Sequence, residues 1–218
     1  MLKLHKVKLV CKRTIVHITL SVLFLSGMMV PTPITAPISI QKVEAQVGCS
    51  PPGQYSIGGR TWYRWLANSE PTGTTCWNVI PGRAAVVQTN TCGWTENTWE
   101  FYYGGSISQT FTVPIPKPTD GFHPQFNIQY TLDFIDPNDD PAWNRFEMRV
   151  VDLSTGTTLA YDSFDGSMGD LYCNGRAFYW NQNLDAERQI QVRFKGTRGY
   201  SNTFIRVRDI QVYQLLSL

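Results

Sequence analysis

The residues from Asn127 to Phe134, Asn-Ile-Gln-Tyr-Thr-Leu-Asp-Phe, alternate strictly between polar and apolar side chains. This period of two predicts a strand of an antiparallel sheet, with one face in an apolar core and the other facing water. The same alternation recurs in residues 145–150 and 189–195. Because no window of a dozen residues after position 45 has a helical period, the sequence predicts an all-β fold.

Shorter strand candidates lie around these segments and are bounded by turn residues. The strand candidates are residues 83–89, 106–113 and 158–164. The turns include Pro81-Gly82 and Ser154-Thr155-Gly156. Eight or nine short antiparallel strands separated by such turns predict a β-sandwich of jelly-roll type, which we assign to residues 81–218. Residues 46–80 show the least pattern and are interpreted as an irregular N-terminal region of the same domain.

The last predicted strand contains a change of phase. Ile205 and Val207 share one face of the strand. Ile210 and Val212 have the opposite parity, so an unbroken strand would turn one of the two pairs away from the core. A one-residue β-bulge at Arg208-Asp209 restores the register, and the sequence predicts a bulge there.

The first 45 residues have the layout of a secretory signal peptide. Five basic residues precede an apolar stretch from Thr14 to Val30, and the small residues Val43 and Ala45 suit cleavage after position 45. An uncleaved N-terminal anchor is the alternative, although the apolar stretch is shorter than the ~20 residues that comfortably span a bilayer. Both interpretations place the domain outside the cell, either secreted or at the cell surface.

The charge and composition exclude several classes of protein. The formal net charge is +2, but six of the 19 basic residues and one of the 17 acidic residues lie in the first 45, so residues 46–218 carry 13 basic and 16 acidic groups. Such a domain has no basic excess for binding nucleic acid. A hydrophobic content of 42% with 13% aromatic residues excludes a disordered chain.

The cysteines support export. Cys49, Cys76, Cys92 and Cys173 follow the signal, and an even number in an exported chain indicates two disulfides. Three pairings are open. The short separation between Cys76 and Cys92 favours that pair, which leaves Cys49 to join Cys173. A zinc site is disfavoured, because there is no Cys-x-x-Cys pair and His123 is the single histidine after the signal.

Several segments between about residues 80 and 213 resemble extracellular jelly rolls of the galactose-binding-like superfamily, which includes many carbohydrate-binding modules. The segments that carry the resemblance are residues 82–87, 107–114, 130–134, 191–194 and 201–210. The resemblance implies a jelly-roll sandwich. It also implies a structural Ca²⁺ near the start of the sandwich, held in part by an acid of the final strand, and Asp209 lies at a suitable place. An ion pair of Asp209 with Arg206 or Arg208 is the alternative.

A second candidate for calcium is the loop of residues 136–144. Asp136, Asn138 and Asp140 stand at alternate positions of this loop and offer the hard oxygen ligands that Ca²⁺ prefers. The alternative is a polar turn in which Asp and Asn side chains accept hydrogen bonds from their own backbone. In either position, the ion would stabilise the fold and would not catalyse.

Aromatic residues next to amides predict carbohydrate binding. Sugar rings present C–H faces that stack on flat aromatic rings, while amides and carboxylates bond to their hydroxyls. Trp143 beside Asn144 and Trp180 beside Asn181 are the preferred candidates, and Trp94 is a further one. The alternative for each tryptophan is a place in the core.

The sequence contains no strong catalytic motif. There is no Gly-x-Ser-x-Gly, and His123 stands in a proline-bounded loop without an evident partner. Two carboxylate pairs could serve a glycosidase, namely Glu96 with Glu100, and Asp133 with Glu147, which lie on adjacent predicted strands. Outward-facing acids are nevertheless an ordinary feature of a sandwich.

The sequence therefore predicts an exported, disulfide-bonded jelly-roll module that binds a glycan and does not catalyse, with structural Ca²⁺ as the one candidate cofactor. A structural or adhesive cell-surface module with protein partners is the alternative. A glycoside hydrolase or polysaccharide lyase is the third interpretation, and it requires two carboxylates that converge in a cleft.

Overall fold

A computed structural model describes residues 52–68, 71, 77–93 and 95–217. The predictions for the signal peptide, Cys49, Cys76 and Trp94 lie outside these residues. Among the described residues, no helix is both long enough and apolar enough to cross a bilayer. The described elements are β1 (Gly53–Ile57), β2 (Arg60–Asn68), β3 (Asn78–Val79), β4 (Ala84–Thr89), β5 (Glu96–Phe101), β6 (Gly105–Val113), β7 (Gln125–Ile135), β8 (Arg145–Asp152), β9 (Thr157–Asp165), a 3₁₀ turn (Gly166–Met168), β10 (Leu171–Asn181), β11 (Arg188–Thr197) and β12 (Phe204–Ser217).

The strands form two antiparallel sheets, which confirms the predicted all-β sandwich of jelly-roll type. The five-stranded sheet has the order β3-β6-β11-β8-β9. The seven-stranded sheet is built around the 14-residue strand β12, which pairs with β7 from Phe204 to Gln214 along one side. Along the other side, β12 pairs first with β5 and then with β2. Strands β4, β1 and β10 continue the sheet beyond β5, β2 and β7.

The alternating pattern of residues 127–134 is confirmed by the burial of its apolar half. Ile128, Leu132 and Phe134 are fully buried between the sheets, and Tyr130 nearly so. The Tyr130 ring meets the Phe194 ring of the opposite sheet edge to face, with 5.1 Å between centroids. One apolar cluster contains these residues of β7 and those of β8 and β11, so the two sheets share a continuous core.

The predicted bulge in the last strand is also confirmed. Arg208 pairs with Thr131, but the next pair joins Gln211 to Gln129, so β12 contains one residue more than β7 here. Asp209 takes up the bulge with φ of +53°, a left-handed conformation that Asp adopts more readily than most residues. As a result, the apolar residues on both sides of the bulge are fully buried: Ile205, Val207, Ile210 and Val212.

Residues 52–68 form regular strands of the sandwich, and the interpretation of 46–80 as irregular is wrong for this part. Two features of β2 hide the period of two. Leu66 pairs with Val212 and Arg64 with Tyr213, so a register shift at Trp65 changes the parity. In addition, Trp62 belongs to a second apolar cluster on the outer face of the sheet, so apolar residues occupy both faces of β2.

The disulfide joins Cys92 to Cys173, with 5.6 Å between their Cα atoms. Both predicted pairings, Cys76 with Cys92 and Cys49 with Cys173, are therefore wrong. The sequence separation of 81 residues is large. The sheet order nevertheless brings these residues together, because β5, β12, β7 and β10 are successive neighbours although they are distant in the chain. Sequence separation is a poor guide to pairing in such a sheet.

Candidate functional site

The predicted sugar-binding residues do not form one site. Asn181, at the end of β10, pairs with Gln125 at the start of β7, whereas Trp143 and Asn144 lie in the loop that follows the other end of β7. Strand β7 has 11 residues and spans about 33 Å in extended geometry. The structure therefore separates Trp180 and Asn181 from Trp143 and Asn144.

Trp180 and Trp143 also differ in exposure. Trp180 is 6% exposed and stacks on Phe126 in the core, with ring centroids 5.3 Å apart, so it offers no free face to a sugar. Trp143 is 62% exposed. Its neighbour Asn144 is fully buried, and its Oδ1 accepts a hydrogen bond of 2.8 Å from the backbone N–H of Gly199. Asn144 thus holds two loops together.

The carboxylates of the loop 136–144 are occupied by donors of the protein itself. Asp136 accepts hydrogen bonds from the backbone N–H groups of Asn138 and Asp140, at 3.1 and 3.0 Å, and from the Thr203 hydroxyl at 3.2 Å. Asp140 accepts from the backbone of Ala142 and from the Tyr200 hydroxyl. These are the contacts of a polar turn, and calcium binding by this loop stays a prediction.

Asp209 lies in the bulge of β12 and contacts residues outside that loop. Its Oδ2 accepts a hydrogen bond of 3.0 Å from the Thr131 hydroxyl and lies 3.7 Å from Nε of Arg208. Among the described residues, one group of three His, Cys, Asp or Glu side chains brings its ligand atoms within 4.8 Å of one another, namely Cys92, Asp133 and Cys173. Since the two sulfurs of this group are bonded to each other, it is a disulfide beside a carboxylate. A calcium role for Asp209 stays a prediction.

Asp136 allows a test of the loop's role in stability. Burial alone would raise the pKa of Asp136, but hydrogen bonds from the Asn144 side chain, the loop backbone and Thr203 outweigh it and lower the pKa. A lowered pKa contributes stability at neutral pH that is lost as the pH falls through the folded-state value. We expect Asp136→Asn to lower the free energy of unfolding at pH 7 by about 1.5–3 kcal/mol.

The measurement is thermal unfolding of both proteins between pH 7 and pH 3. The difference in stability between wild type and Asp136→Asn should shrink once the pH falls below the ordinary carboxyl value of about 3.9 and approaches the lowered folded-state pKa of Asp136. Asp139→Asn is the matched control, since Asp139 is an exposed residue of the same loop, and it should behave like the wild type. A constant difference at all pH values would contradict the role assigned to the Asp136 charge.

The carboxylate pairs considered for catalysis are engaged in ion pairs. The two oxygens of Glu100 lie 3.1 and 2.8 Å from Arg198 and Arg206, and Glu96 lies 2.9 Å from Arg208. The pairing of Asp133 with Glu147 on adjacent strands is wrong, because Asp133 lies in the seven-stranded sheet and Glu147 in the other.

Glu147 also lacks the property of a general acid. Burial alone would raise its pKa, but hydrogen bonds and the charges of Arg149 and Arg193 lower it overall. A general acid requires the opposite shift.

A cleft of about 320 Å³ opens on the outer face of the seven-stranded sheet. Its floor is a row of three residues on adjacent strands, in which Asn127 of β7 pairs with Tyr213 of β12 on one side and with Tyr179 of β10 on the other. We call this feature the Asn127 cleft. Its lining residues are Ile57, Gly58, Arg60, Trp62, Asn127, Gln129, Tyr179 and Tyr213.

Asn127 is the unusual member of this lining. It is only 2% exposed, and neither atom of its side-chain amide has a hydrogen-bond partner among the described residues. Buried amides are normally bonded, because an unpaired buried polar group costs about 1–3 kcal/mol. Tyr179 beside it is 61% exposed and offers an aromatic surface at the edge of the cleft.

Two of the lining residues, Trp62 and Tyr213, belong to the outer apolar cluster. Trp62, Tyr213 and Leu215 are buried together there, and Tyr55 packs against them. Burial raises the pKa of Tyr213, and nearby Arg64 offsets this only in part. Tyr213 is therefore a neutral phenol at physiological pH, whereas Arg60 brings a positive charge to the lining.

One feature of the sequence, the pair Tyr179-Trp180, indicates an aromatic residue on the outer face at this cleft. Tyr179 and Trp180 are adjacent, and only the residue on the polar parity of β10 can face outward. Trp180 has the core parity and packs in the core, so Tyr179 faces outward. Asn127 could not be singled out from the sequence, because a polar residue of an alternating strand is expected to face water. Only the pairing of the strands shows that its neighbours on β12 and β10 are both tyrosines.

No protein-family model matches the chain, and no curated protein matches it. Solved structures that resemble it include the CBM22-1 xylan-binding domain of Paenibacillus barcinonensis Xyn10C, with 12% identity, a TM-score of 0.41 and coverage of 71% of this chain and 96% of that one. The K1 cleaved adhesin domain of Lys-gingipain from Porphyromonas gingivalis W83 has 11% identity, a TM-score of 0.43 and coverage of 67% and 96%.

A structure described as CBM4 has 12% identity, a TM-score of 0.38 and coverage of 71% of this chain and 87% of that one. At this distance, none of these likenesses assigns a function to the chain. The function has to be inferred from the residues of the chain itself.

Proposed function

We propose that this protein is an exported, non-catalytic module that binds a saccharide in the Asn127 cleft. The observation that carries the proposal is the buried Asn127 amide, whose two polar atoms have no partner among the described residues and which lies in the lining of an aromatic cleft. A ligand that donates to the amide oxygen and accepts from the amide nitrogen removes the cost of an unpaired polar group. Binding is favoured by that difference.

Saccharides supply both kinds of contact. Each hydroxyl both donates and accepts, so two neighbouring hydroxyls match the oxygen and the nitrogen of one amide. The apolar C–H face of the ring can stack on Tyr179 or contact Trp62, and Gln129 and Arg60 offer further polar groups in the same cleft. A concave site in which aromatic side chains stand beside a few placed polar groups is the usual form of a small-ligand site.

The lining of the cleft favours binding over catalysis. None of its lining residues is a carboxylate, histidine, lysine, serine or cysteine. The carboxylates and histidines that most often act as general acids and bases, and the serine and cysteine nucleophiles, are thus missing from the lining, whose phenols are those of Tyr179 and Tyr213. Export is supported by the signal-like sequence of the first 45 residues and by the disulfide between Cys92 and Cys173, because such bonds persist in oxidising compartments.

The test is a glycan array with the purified protein, followed by calorimetry on the saccharide that binds. We expect Asn127→Ala and Tyr179→Ala each to weaken binding about tenfold or more, since each removes hydrogen bonds or stacking worth about 1.4 kcal/mol. Asn127→Ala should leave the melting temperature unchanged or raise it, because the removed amide has no partner in the free protein.

Tyr172→Ala is the matched control, since Tyr172 is an exposed tyrosine of the same strand outside the cleft, and it should bind like the wild type. Trp143→Ala distinguishes the rival sites. Loss of binding in Trp143→Ala with normal binding in Asn127→Ala would place the saccharide at the loops and refute the Asn127 cleft.

The adhesive alternative is favoured by one observation, the exposed side chains of the connecting loops. Trp143, Met168 and Tyr200 are all exposed. Their loops are in contact, since the Tyr200 hydroxyl donates to Asp140 and the N–H of Gly166 donates to the carbonyl of Asn144. An absence of saccharide binding in the wild type would move this alternative to first place.

A further inference from the structure

The outer face of the five-stranded sheet carries a concentration of positive charge. Four basic residues lie on the outward parity of two paired strands, Arg145 and Arg149 on β8 and Arg193 and Lys195 on β11. Arg149 is the direct neighbour of Arg193, and Glu147 of Lys195. The residues that alternate with them, Phe146 and Met148 on β8 and Phe194 on β11, are buried in the core. We call this surface the basic face.

Glu147 is the acid at the centre of the basic face. Its Oε1 lies 2.9 Å from Nε of Arg149 and 3.3 Å from Nη2 of Arg193. One carboxylate is thus shared by two arginines, which leaves positive charge on the face. The other acid there, Asp165 on β9, accepts hydrogen bonds from the backbone N–H and the hydroxyl of Ser167.

This positive charge is local. Acidic residues outnumber basic ones after position 45, by 16 to 13. The face itself has four basic side chains against the two acids Glu147 and Asp165. A positive region on an otherwise acidic domain attracts anions to one place and repels them elsewhere.

The basic face includes a groove of about 390 Å³. Lys195 and Arg145 line this groove together with the acids Glu147 and Asp165 and the hydroxyl residues Tyr161, Ser163 and Thr197. Tyr161 is an exposed aromatic residue, and the Arg149 guanidinium lies over its ring at 5.2 Å. The groove itself is balanced in charge, and the excess of cations on the basic face comes from Arg149 and Arg193 beside it.

Strand β6 adds a row of hydroxyl groups beside the cations. Ser106 is the direct neighbour of Lys195, and Ser108 of Arg193. Each of these hydroxyls therefore lies one strand away from a cation, a spacing of about 4.8 Å. A ligand that lies across the two strands can contact a neutral hydroxyl and a cation together.

We propose that the basic face is a second binding site, for an acidic polysaccharide that carries carboxylate or sulfate groups. Arginine and lysine bind such anions by charge-assisted hydrogen bonds. The serine and threonine hydroxyls bond to the neutral hydroxyls of the polymer, and Tyr161 contacts a ring face. The small excess of cations and the row of hydroxyls favour a sparsely charged sugar polymer over a nucleic acid, whose charge is far denser.

The site is independent of the Asn127 cleft, because it lies on the other sheet. The experiment uses three polymers with one backbone, namely dextran, carboxymethyl-dextran and dextran sulfate, with duplex DNA as a polyanion of another class. We expect the purified full-length protein to bind a charged dextran and not the neutral one, with an affinity that falls as salt is added. Lys195→Gln should weaken this binding about fivefold to tenfold, and Lys195→Gln with Arg193→Gln should weaken it further.

Lys117→Gln is the matched control, because Lys117 is an exposed lysine in the loop between β6 and β7 and its loss changes the net charge equally. It should bind like the wild type. Asn127→Ala should also bind the charged dextran normally, which separates this site from the cleft. Equal binding of neutral dextran, equal weakening by Lys117→Gln, tighter binding of DNA, or no binding of either charged dextran would each overturn the proposal.

Discussion

Replacement of Arg208 by methionine should lower the free energy of unfolding by about 3–5 kcal/mol, the cost of removing one partner from a buried ion pair. Arg208 is 2% exposed although its side chain is charged. Its guanidinium lies 2.6 Å from Asp133, which is fully buried, and 2.9 Å from Glu96. Without the arginine, two carboxylates would remain in the protein interior without their countercharge.

Urea unfolding monitored by tryptophan fluorescence measures this effect. Arg206→Met is the matched control, because Arg206 lies two residues earlier on the same strand and shares its partner Glu100 with Arg198. It should cost about 1 kcal/mol, since Glu100 keeps a cation. Similar losses in the two variants would contradict the view that the burial of the charges, and not their number, determines the cost.

Adding Glu96→Gln and Asp133→Asn to Arg208→Met should recover part of the lost stability, because neutral amides cost less to bury than carboxylates. The recovery should be incomplete. Asp133 also accepts a hydrogen bond of 2.6 Å from the backbone N–H of Cys173. The amide oxygen of asparagine accepts that bond without a charge, and therefore more weakly.

Loss of the disulfide between Cys92 and Cys173 should have the second large effect. The double variant Cys92→Ser, Cys173→Ser should lose about 2–5 kcal/mol of stability, because the bond closes a loop of 81 residues and restricts the unfolded chain. Thermal unfolding of the double variant isolates this bond, whereas a reductant would also act on the other cysteines. Peptide mapping of the wild type without reduction should yield the linked Cys92 and Cys173 peptides.

An unchanged melting temperature in the double variant would contradict a structural role for the bond. Finding Cys92 linked to Cys76 would contradict the pairing itself. The Arg208 and disulfide effects should not be additive, because the Arg208 guanidinium contacts Cys92 Sγ and the two groups share one environment.

Period-two patterning was sufficient to predict the strands that have one apolar face. The alternation of β7 and the phase change in β12 predicted both the core residues and the bulge, because burial of apolar side chains sets the register of a strand. Strand β2 could not be predicted in this way. Its apolar residues lie on both faces, since Trp62 packs in the outer cluster while Leu66 packs in the core.

The candidate sites were only partly predictable. Aromatic residues next to amides predicted a binding site, and Asn181 stands two residues after the exposed Tyr179, on the same face of β10. The choice of Trp180 failed because size and aromaticity do not reveal which face a residue occupies. Tyr179, which has the opposite parity, is the exposed residue.

The sequence by itself determined the class of fold, the inward face of most strands and the position of the bulge. Each of these depends on side chains that are neighbours along the chain, so the pattern of a single segment is enough. Tertiary structure alone decided the partner of Cys92, the burial of Arg208, the Asn127 cleft and the basic face. All four require strands that are distant in sequence to become neighbours, and strand order follows from the packing of the whole sandwich and not from any one segment.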